Sequence, residues 1–223
     1  MQIKGKPRTM FENKKYFSKH KYRQPYDYVV KSFVMPKIKF IENSGCFKKK
    51  EIDMLDVGSG NGTFSWYFSR YARKIVSLDY SEQLLKSNSA ELKVLGSGYN
   101  LPFKDNQFDV VFEANLLHHL DKPYCAIEEM RRCSKKYVIL IEPNRYNPLM
   151  FLFSLAVAAE RGVLVSSMEK WKDAIRHFKM EIIAQKITGM ISQQNTPAFM
   201  VPFLKLFDFD FYLGEYIVLI CKK

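Results

Sequence analysis

Long apolar runs are scarce in this 223-residue chain. The longest nearly uncharged one, Pro148 to Ala159, falls well short of the roughly 20 residues that a membrane-spanning helix needs. Cysteine is scarce too. Cys46, Cys125, Cys133 and Cys221 are scattered with no C-x-x-C pair, which argues against a zinc site and against a disulfide framework. No metal site is expected, and the thiols read as reduced packing residues. The N-terminus has no apolar core followed by a small-residue cleavage site, so no secretion signal is read there and a cytoplasmic location is the default. Internal repeats and low-complexity segments are absent as well.

Hydrophobic residues make up 47% of the chain and aromatics 15%, enough to bury one substantial core in a single domain with one appendage. The charge is unevenly placed. Residues 1 to 50 hold 14 Lys and Arg against 3 Asp and Glu, and residues 51 to 223 hold 21 against 20, so the first segment carries +11 of the net +12. A basic arm of this kind can contact RNA, an anionic membrane surface or a phosphorylated substrate, or can simply be a solvated helix face behind a frayed leader.

Residues 1 to 24 are polar, basic and interrupted by Phe11, Tyr16, Phe17 and Tyr22, which predicts an arm or a short lid helix. From Tyr26 the positions Val29, Val30, Phe33, Val34, Ile38 and Ile41 recur at helical spacing, giving an amphipathic helix that ends near Asn43-Ser44-Gly45, with a kink at Pro36. Short apolar runs then alternate with helical stretches. Strands are predicted at Ile52 to Val57, Lys74 to Leu78, Glu91 to Leu95, Phe108 to Phe112 and Tyr137 to Ile141, and helices at Thr63 to Ala72, Ser81 to Ser89 and Pro123 to Cys133. That alternation implies an α/β fold with a mostly parallel sheet covered on both faces. An apolar helix over Pro148 to Arg161, an amphipathic helix from Ser167 to Phe178, and two further strands, Met180 to Ile187 and Phe211 to Cys221, complete the chain. Residues 1 to 45 read as an arm and helix capping a main domain, 46 to 223. Within it 146 to 165 and the Met/Phe/Pro-rich loop 189 to 207 read as insertions that cover a site.

The first of these strands runs into Gly58-Ser59-Gly60-Asn61-Gly62 and then into a helix, the place where an α/β sheet binds a nucleotide-like ligand. Glycines allow the tight turn and close backbone approach, and the free amides of the helix start face the ligand. A dinucleotide fingerprint, G-x-G-x-x-G, would require glycine where Thr63 stands, and no Gly-Lys-Ser/Thr follows, which excludes the phosphate loop. Asp79 ends the second strand at the same sheet edge. Its carboxylate is an acceptor-only group suited to both hydroxyls of a ribose. Taken alone, Asp79 also reads as a cap for the helix starting at Ser81.

Leu55-Asp56-Val57-Gly58-Ser59-Gly60-Asn61-Gly62, Leu78-Asp79-Tyr80-Ser81, Leu101 to Asp109, Asn115-Leu116-Leu117-His118-His119-Leu120 and Ile141-Glu142-Pro143-Asn144 together carry a resemblance. Over about Glu51 to Asn144 the chain resembles the class I S-adenosylmethionine-dependent methyltransferases, in particular the small-molecule group called methyltransferase type 11. The resemblance implies a Rossmann-like seven-stranded sheet and S-adenosyl-L-methionine as cofactor. It implies that Asp56 holds the methionine amino group, that Gly58, Ser59 and Gly60 let the backbone approach, and that Asp79 takes the ribose hydroxyls with Tyr80 against adenine. Gly98 and Tyr99 fall near the adenine edge, and Asn115 near the methionine carboxylate or sulfonium. Ser97 stands where the family usually has an Asp that contacts the adenine amino group.

Methyl transfer from a sulfonium chiefly requires alignment and exclusion of water, so a catalytic base is optional. Candidates are His118 and His119 after the fourth strand and Glu142 after the fifth, with Arg145 able to hold an anionic group. The bland alternatives are packing at a helix start and a polar turn fixed by Pro143. Met190, Phe199, Met200 and Phe203, with the helix Met150 to Ala159, read either as core or as an apolar lid over an apolar substrate. The leading expectation is methyl transfer to a small molecule at oxygen, nitrogen or an activated carbon. RNA methylation through residues 1 to 50 is the alternative, although no Asn/Asp-Pro-Pro-aromatic signature and no Pro-Cys pair is present. A non-catalytic module that binds cofactor or protein is the reading from another class.

Overall fold

The computed structural model of the protein describes residues 22–46 and 50–223. The basic arm expected over residues 1 to 24 therefore lies outside the described residues, apart from its last three. Helix α1, Tyr28–Asn43, is capped by Asp27, whose side chain accepts from the Val29 amide, and it buries the expected face of Val29, Val30, Phe33, Val34, Ile38 and Ile41. Lys37 joins that face, which the apolar pattern does not mark. Beside Pro36, which has no amide proton to donate, Lys37 Nζ donates to the Phe33 carbonyl at 2.9 Å and lies 3.7 Å over the Phe33 ring. Burial lowers this ammonium to about 7, against the pull of Glu215.

Seven strands among the described residues form one sheet: β1 Asp53–Val57, β2 Lys74–Asp79, β3 Leu92–Leu95, β4 Phe108–Ala114, β5 Ser134–Pro143, β6 Glu181–Thr188 and β7 Tyr216–Lys222. Their order is β3-β2-β1-β4-β5-β7-β6. β1 through β5 pair in parallel, and β7 inserts antiparallel between β5 and β6. The chain steps outward in one direction from β1 to β3 and in the other from β4 to β5. The crevice beyond the carboxyl ends of β1 and β4 is therefore the switch point where such sheets take ligands.

One face of the sheet is covered by α1 and by α2, Thr63–Phe68; the other by α4, Pro123–Cys133, and α6, Met168–His177. A short helix α3, Glu82–Ser87, follows β2. Long apolar strand interiors buried on both faces explain why β4 and β5 read as continuous runs rather than alternating ones.

Three boundaries depart from expectation for local reasons. The predicted helix 148–161 divides into α5, Pro148–Ala156, and a 3-10 segment, Ala158–Val165. The last strand begins at Tyr216 rather than Phe211, because residues 211 to 214 are held in a turn. Asn144 Nδ2 donates to the carbonyls of Tyr212 and Gly214, and a Cβ on Gly214 would lie 2.8 Å from the Thr188 amide nitrogen. The loop 189–207 is not structureless, since it holds α7, Val201–Leu204, between two 3-10 turns.

Phe112 is fully buried at the middle of the first layer, its ring 4.8 Å from Phe68 and 5.1 Å from Phe64. Phe112→Ala is expected to lower unfolding stability by about 3–5 kcal/mol in a urea titration; a loss below about 1 kcal/mol would show that this layer does not hold the fold.

Candidate active site

The glycine loop is set by the end of β2. The amides of Gly58 and Ser59 both donate to the Leu78 carbonyl, at 2.8 and 2.9 Å. The Gly60 amide donates to Asp79 Oδ2 at 2.8 Å, and Asp79 Oδ1 accepts from the Ser81 amide at the same distance. Asp79 thus braces both the following turn and the loop, while each oxygen keeps a lone pair. Asn88 braces the loop from the far side, its Nδ2 donating to Ser59 Oγ at 3.2 Å and to the Gly60 carbonyl at 3.4 Å. Gly62 has φ 80°, and a Cβ there would lie 2.1 Å from Asn88 Oδ1, so no larger residue fits without moving Asn88.

A single cavity opens over this loop. Asp56, Gly58, Ser59, Gly60, Asp79, Tyr80, Gly98, Tyr99 and Asn115 all line it, joined by Ser97, Leu116, His119, Asp121, Gln193 and Tyr22. No lysine or arginine is among the described residues of the wall. Asp56 is buried; its Oδ2 accepts from Ser65 Oγ at 2.6 Å, and Ser65 Oγ in turn lies 2.6 Å from Ser77 Oγ. Burial, with a smaller push from Asp79, raises the Asp56 carboxyl to about 7. The Tyr80 hydroxyl is buried with no hydrogen-bond partner among the described residues. Two under-neutralised carboxyls and an unpartnered hydroxyl in one pocket suit a ligand bearing a cation and hydroxyl groups, and oppose a pyrophosphate.

The methyltransferase domain family matches residues 55–141, the segment that runs from β1 to β5. An uncharacterized methyltransferase of Schizosaccharomyces pombe is 34% identical over 107 residues, 40% of this chain and 38% of that protein. A demethylmenaquinone methyltransferase of Renibacterium salmoninarum is 34% identical over 86 residues, 37% of this chain and 36% of that one. The chain thus spans under two fifths of the length of these curated relatives. A solved S-adenosylmethionine-dependent methyltransferase of Thermotoga maritima superposes with a TM-score of 0.63 at 18% identity, covering 86% of this chain and 92% of that one. Residues 55–141 thus match the methyltransferase domain family, and the whole chain shares the fold of the solved methyltransferase.

The exit from β4 is held by two buried carboxyls. Glu113 Oε2 accepts from the Leu116 amide at 3.1 Å, and Glu142 accepts from the amides of Leu117 and His118 at 2.8 and 3.1 Å. Asn115 sits between them at φ 59°, a left-handed conformation that asparagine tolerates better than most residues. Burial, then the Glu142 charge, pushes Glu113 well above the usual carboxyl range. Glu142, also opposed by burial, is held below that range by His118.

The three catalytic candidates separate here. His119 lines the cavity, and its Nδ1 is 3.1 Å from the Ala159 carbonyl, which can only accept, so Nδ1 carries the proton. His118 and Glu142 do not line it. His118 Nδ1 lies 2.8 Å from Glu142 Oε2, and the two side chains are 2% and 0% exposed. Burial opposes charge on His118, but Glu142 and then Glu160 outweigh it and raise the imidazole to about 9. The expected place of Glu142 beside an acceptor is therefore corrected: its oxygens are spent on the turn behind the cavity wall.

Arg145 and Tyr146 also lie off the cavity, as do Met190, Phe199, Met200 and Phe203; from the loop 189–207 the wall receives Gln193. That glutamine sits under a polar clasp, since Arg23 Nη1 donates to the carbonyls of Gln193 and Thr196 at 3.3 and 2.9 Å and the Arg23 amide donates to Gln194 Oε1 at 3.0 Å. Sequence reasoning missed Asn88, Glu113, Tyr22 and Gln193. Asn88 and Glu113 stand in ordinary helix-end and strand positions, and Gln193 is held by Arg23, 170 residues away, for which a single sequence carries no signal.

The Gly62–Asn88 contact gives a direct test. Gly62→Ala is expected to cost on the order of 1–3 kcal/mol of unfolding stability, partly recovered in the Gly62→Ala/Asn88→Ala double variant. Equal losses in both would place the strain elsewhere.

Proposed function

We propose that this chain transfers a methyl group from S-adenosyl-L-methionine to a small-molecule acceptor at oxygen, nitrogen or an activated carbon. The observation that carries the reading is the cavity wall: carboxyls at Asp56 and Asp79 and, among the described residues, an unpartnered Tyr80 hydroxyl and no lysine or arginine, beside the glycine loop at the switch point. Asp56 would hold the ammonium of the methionine end and Asp79 the ribose hydroxyls. The Gly58–Gly60 backbone gives close approach, Tyr80, Gly98 and Tyr99 surround the adenine, and Asn115 faces the methionine end. Bound there, the sulfonium supplies an electrophilic methyl carbon.

The chain's own part is to align an acceptor in line with that carbon and to keep water out. His119, in the wall, is the residue placed to meet the acceptor; Glu142 acts through the turn it fixes, as a positioning residue. Among the described residues the cap is represented by the Arg23 clasp and by Gln193 of the loop 189–207. The Renibacterium relative is named for demethylmenaquinone, which supports a small acceptor over a nucleic acid. The RNA reading draws on the charge of residues 1 to 50 and the Tyr and Phe interleaved there, and a salt-sensitive gel shift with bulk RNA that depends on those residues would favour it.

Two outcomes test the cofactor assignment by calorimetry. Asp79→Ala is expected to weaken S-adenosylhomocysteine binding at least tenfold, and no binding by folded wild type would sink the whole reading. Asp56, faced by Asp79, Ser65 and Ser77, must be ionised to meet an ammonium, and its carboxyl lies near 7 in the free protein. Affinity should therefore be flat above pH 8 and fall about tenfold by pH 6, and Asp56→Asn should remove that dependence.

A further inference from the structure

Behind His119 the turn after β4 meets the 3-10 segment Ala158–Val165. Gly162 makes the approach possible, because any Cβ there would collide with the His118 carbonyl oxygen. The contact brings Glu160 over the histidine pair, with His118 Nε2 3.5 Å and His119 Nε2 4.0 Å from Glu160 Oε2, and all three ligand-type atoms within 4.8 Å of one another. We propose that His118, His119 and Glu160 form a binding site for a divalent cation of the zinc and cobalt class.

The outer contacts make this more than a chance meeting of three side chains. An imidazole that ligates through Nε2 is held by a hydrogen bond from its Nδ1–H to a carboxylate or a backbone carbonyl, which fixes both the tautomer and the ring plane. Both rings have that partner already: His118 Nδ1 bonds Glu142 at 2.8 Å and His119 Nδ1 bonds the Ala159 carbonyl at 3.1 Å. Glu142 is in turn fixed by the amides of Leu117 and His118. Two imidazoles and one glutamate are a familiar zinc donor set, and ligand atoms about 2.0–2.2 Å from a tetrahedral ion lie roughly 3.4 Å apart. The spacing here needs only side-chain rotations to close. A cation at this point meets the Glu160 carboxylate directly and the Glu142 carboxylate across the His118 ring, and the two offset its charge. His119 belongs to the cavity wall, so the fourth position of the ion falls to an oxygen donor entering from that side.

The test uses untagged full-length protein, freed of metal by chelator and titrated with cobalt(II) and zinc(II) in the absence of cofactor, so that its result stands apart from the methyl-donor reading. One cobalt per chain is expected, with visible d–d absorption and no thiolate charge-transfer band, displaced by zinc, and with a rise in unfolding temperature. Glu160→Gln and His119→Gln should each weaken binding at least tenfold, while Cys125→Ser, which removes the exposed thiol, leaves it unchanged. Absence of stoichiometric cobalt binding to wild type overturns the proposal, as does a thiolate band or binding that survives both substitutions.

Discussion

Two carboxyls buried side by side at the ends of β4 and β5 are the constraint on which the site depends. Glu113 and Glu142 cannot both ionise at contact distance in a water-free interior, so one proton serves the pair. Glu113 keeps it, and Glu142, facing His118, carries the charge. Their remaining oxygen capacity goes to backbone: Glu113 to the amides of Leu116 and Ile141, Glu142 to those of Leu117 and His118. Four amides that the end of a strand would leave unmatched are thereby fixed. This rigid knot forces Asn115 into its left-handed conformation and presses Leu116 toward Gly58, where a Cβ would lie 2.8 Å from Leu116 Cδ1. The wall of the cavity opposite the glycine loop is the outer surface of the knot.

The glycine loop itself is held by different means. Its amides are matched to the Leu78 carbonyl and to Asp79, so the loop and the end of β2 move as one piece. One carboxylate serves two ends here: two backbone amides orient Asp79, and the same side chain lines the cavity. Asp56 lies deeper, where burial rather than a bonding partner dominates its chemistry, and it is the group in the cavity most sensitive to whether a cation is bound.

Much of this was readable from the sequence because it is local. Strand-length apolar runs, the glycine spacing and Asp79 at the end of a strand all act within a few residues, and the helix Pro123–Cys133 has the expected bounds because Pro123 starts it and Ser134 turns the chain back into a strand. What escaped reading is long-range or concerns buried polar groups. Glu113 in a β-branched strand looks like any solvent-facing residue until the neighbouring strand supplies Ile141 and Glu142. Lys37 follows the helical period onto the buried face, yet its character as a core residue depends on the rings of Phe33 and Tyr216, the second contributed by the last strand. The adjacency of Glu160 to the two histidines rests on Gly162, whose role is visible only as space taken by another segment's backbone.

The apolar segments tell against a simple view of the cap. α5 is almost wholly apolar, yet among its residues Ser154 is the buried one, and Leu149 and Leu152 are 64% and 61% exposed. Phe199, Phe203 and Leu206 are exposed as well, and none of these side chains lines the cavity. The rim of the cavity is instead polar, built from the Arg23 clasp, Gln193, Asp121 and Asn61. Apolar composition in 146–165 and 189–207 therefore adds no apolar side chain to the described wall, whose apolar residues come from the strand ends and the turns and helix starts that follow them. Asn115, Leu116, His119 and Gln193 line the cavity, while the exposed leucines and phenylalanines form a separate surface whose burial would require something other than the cavity's ligand.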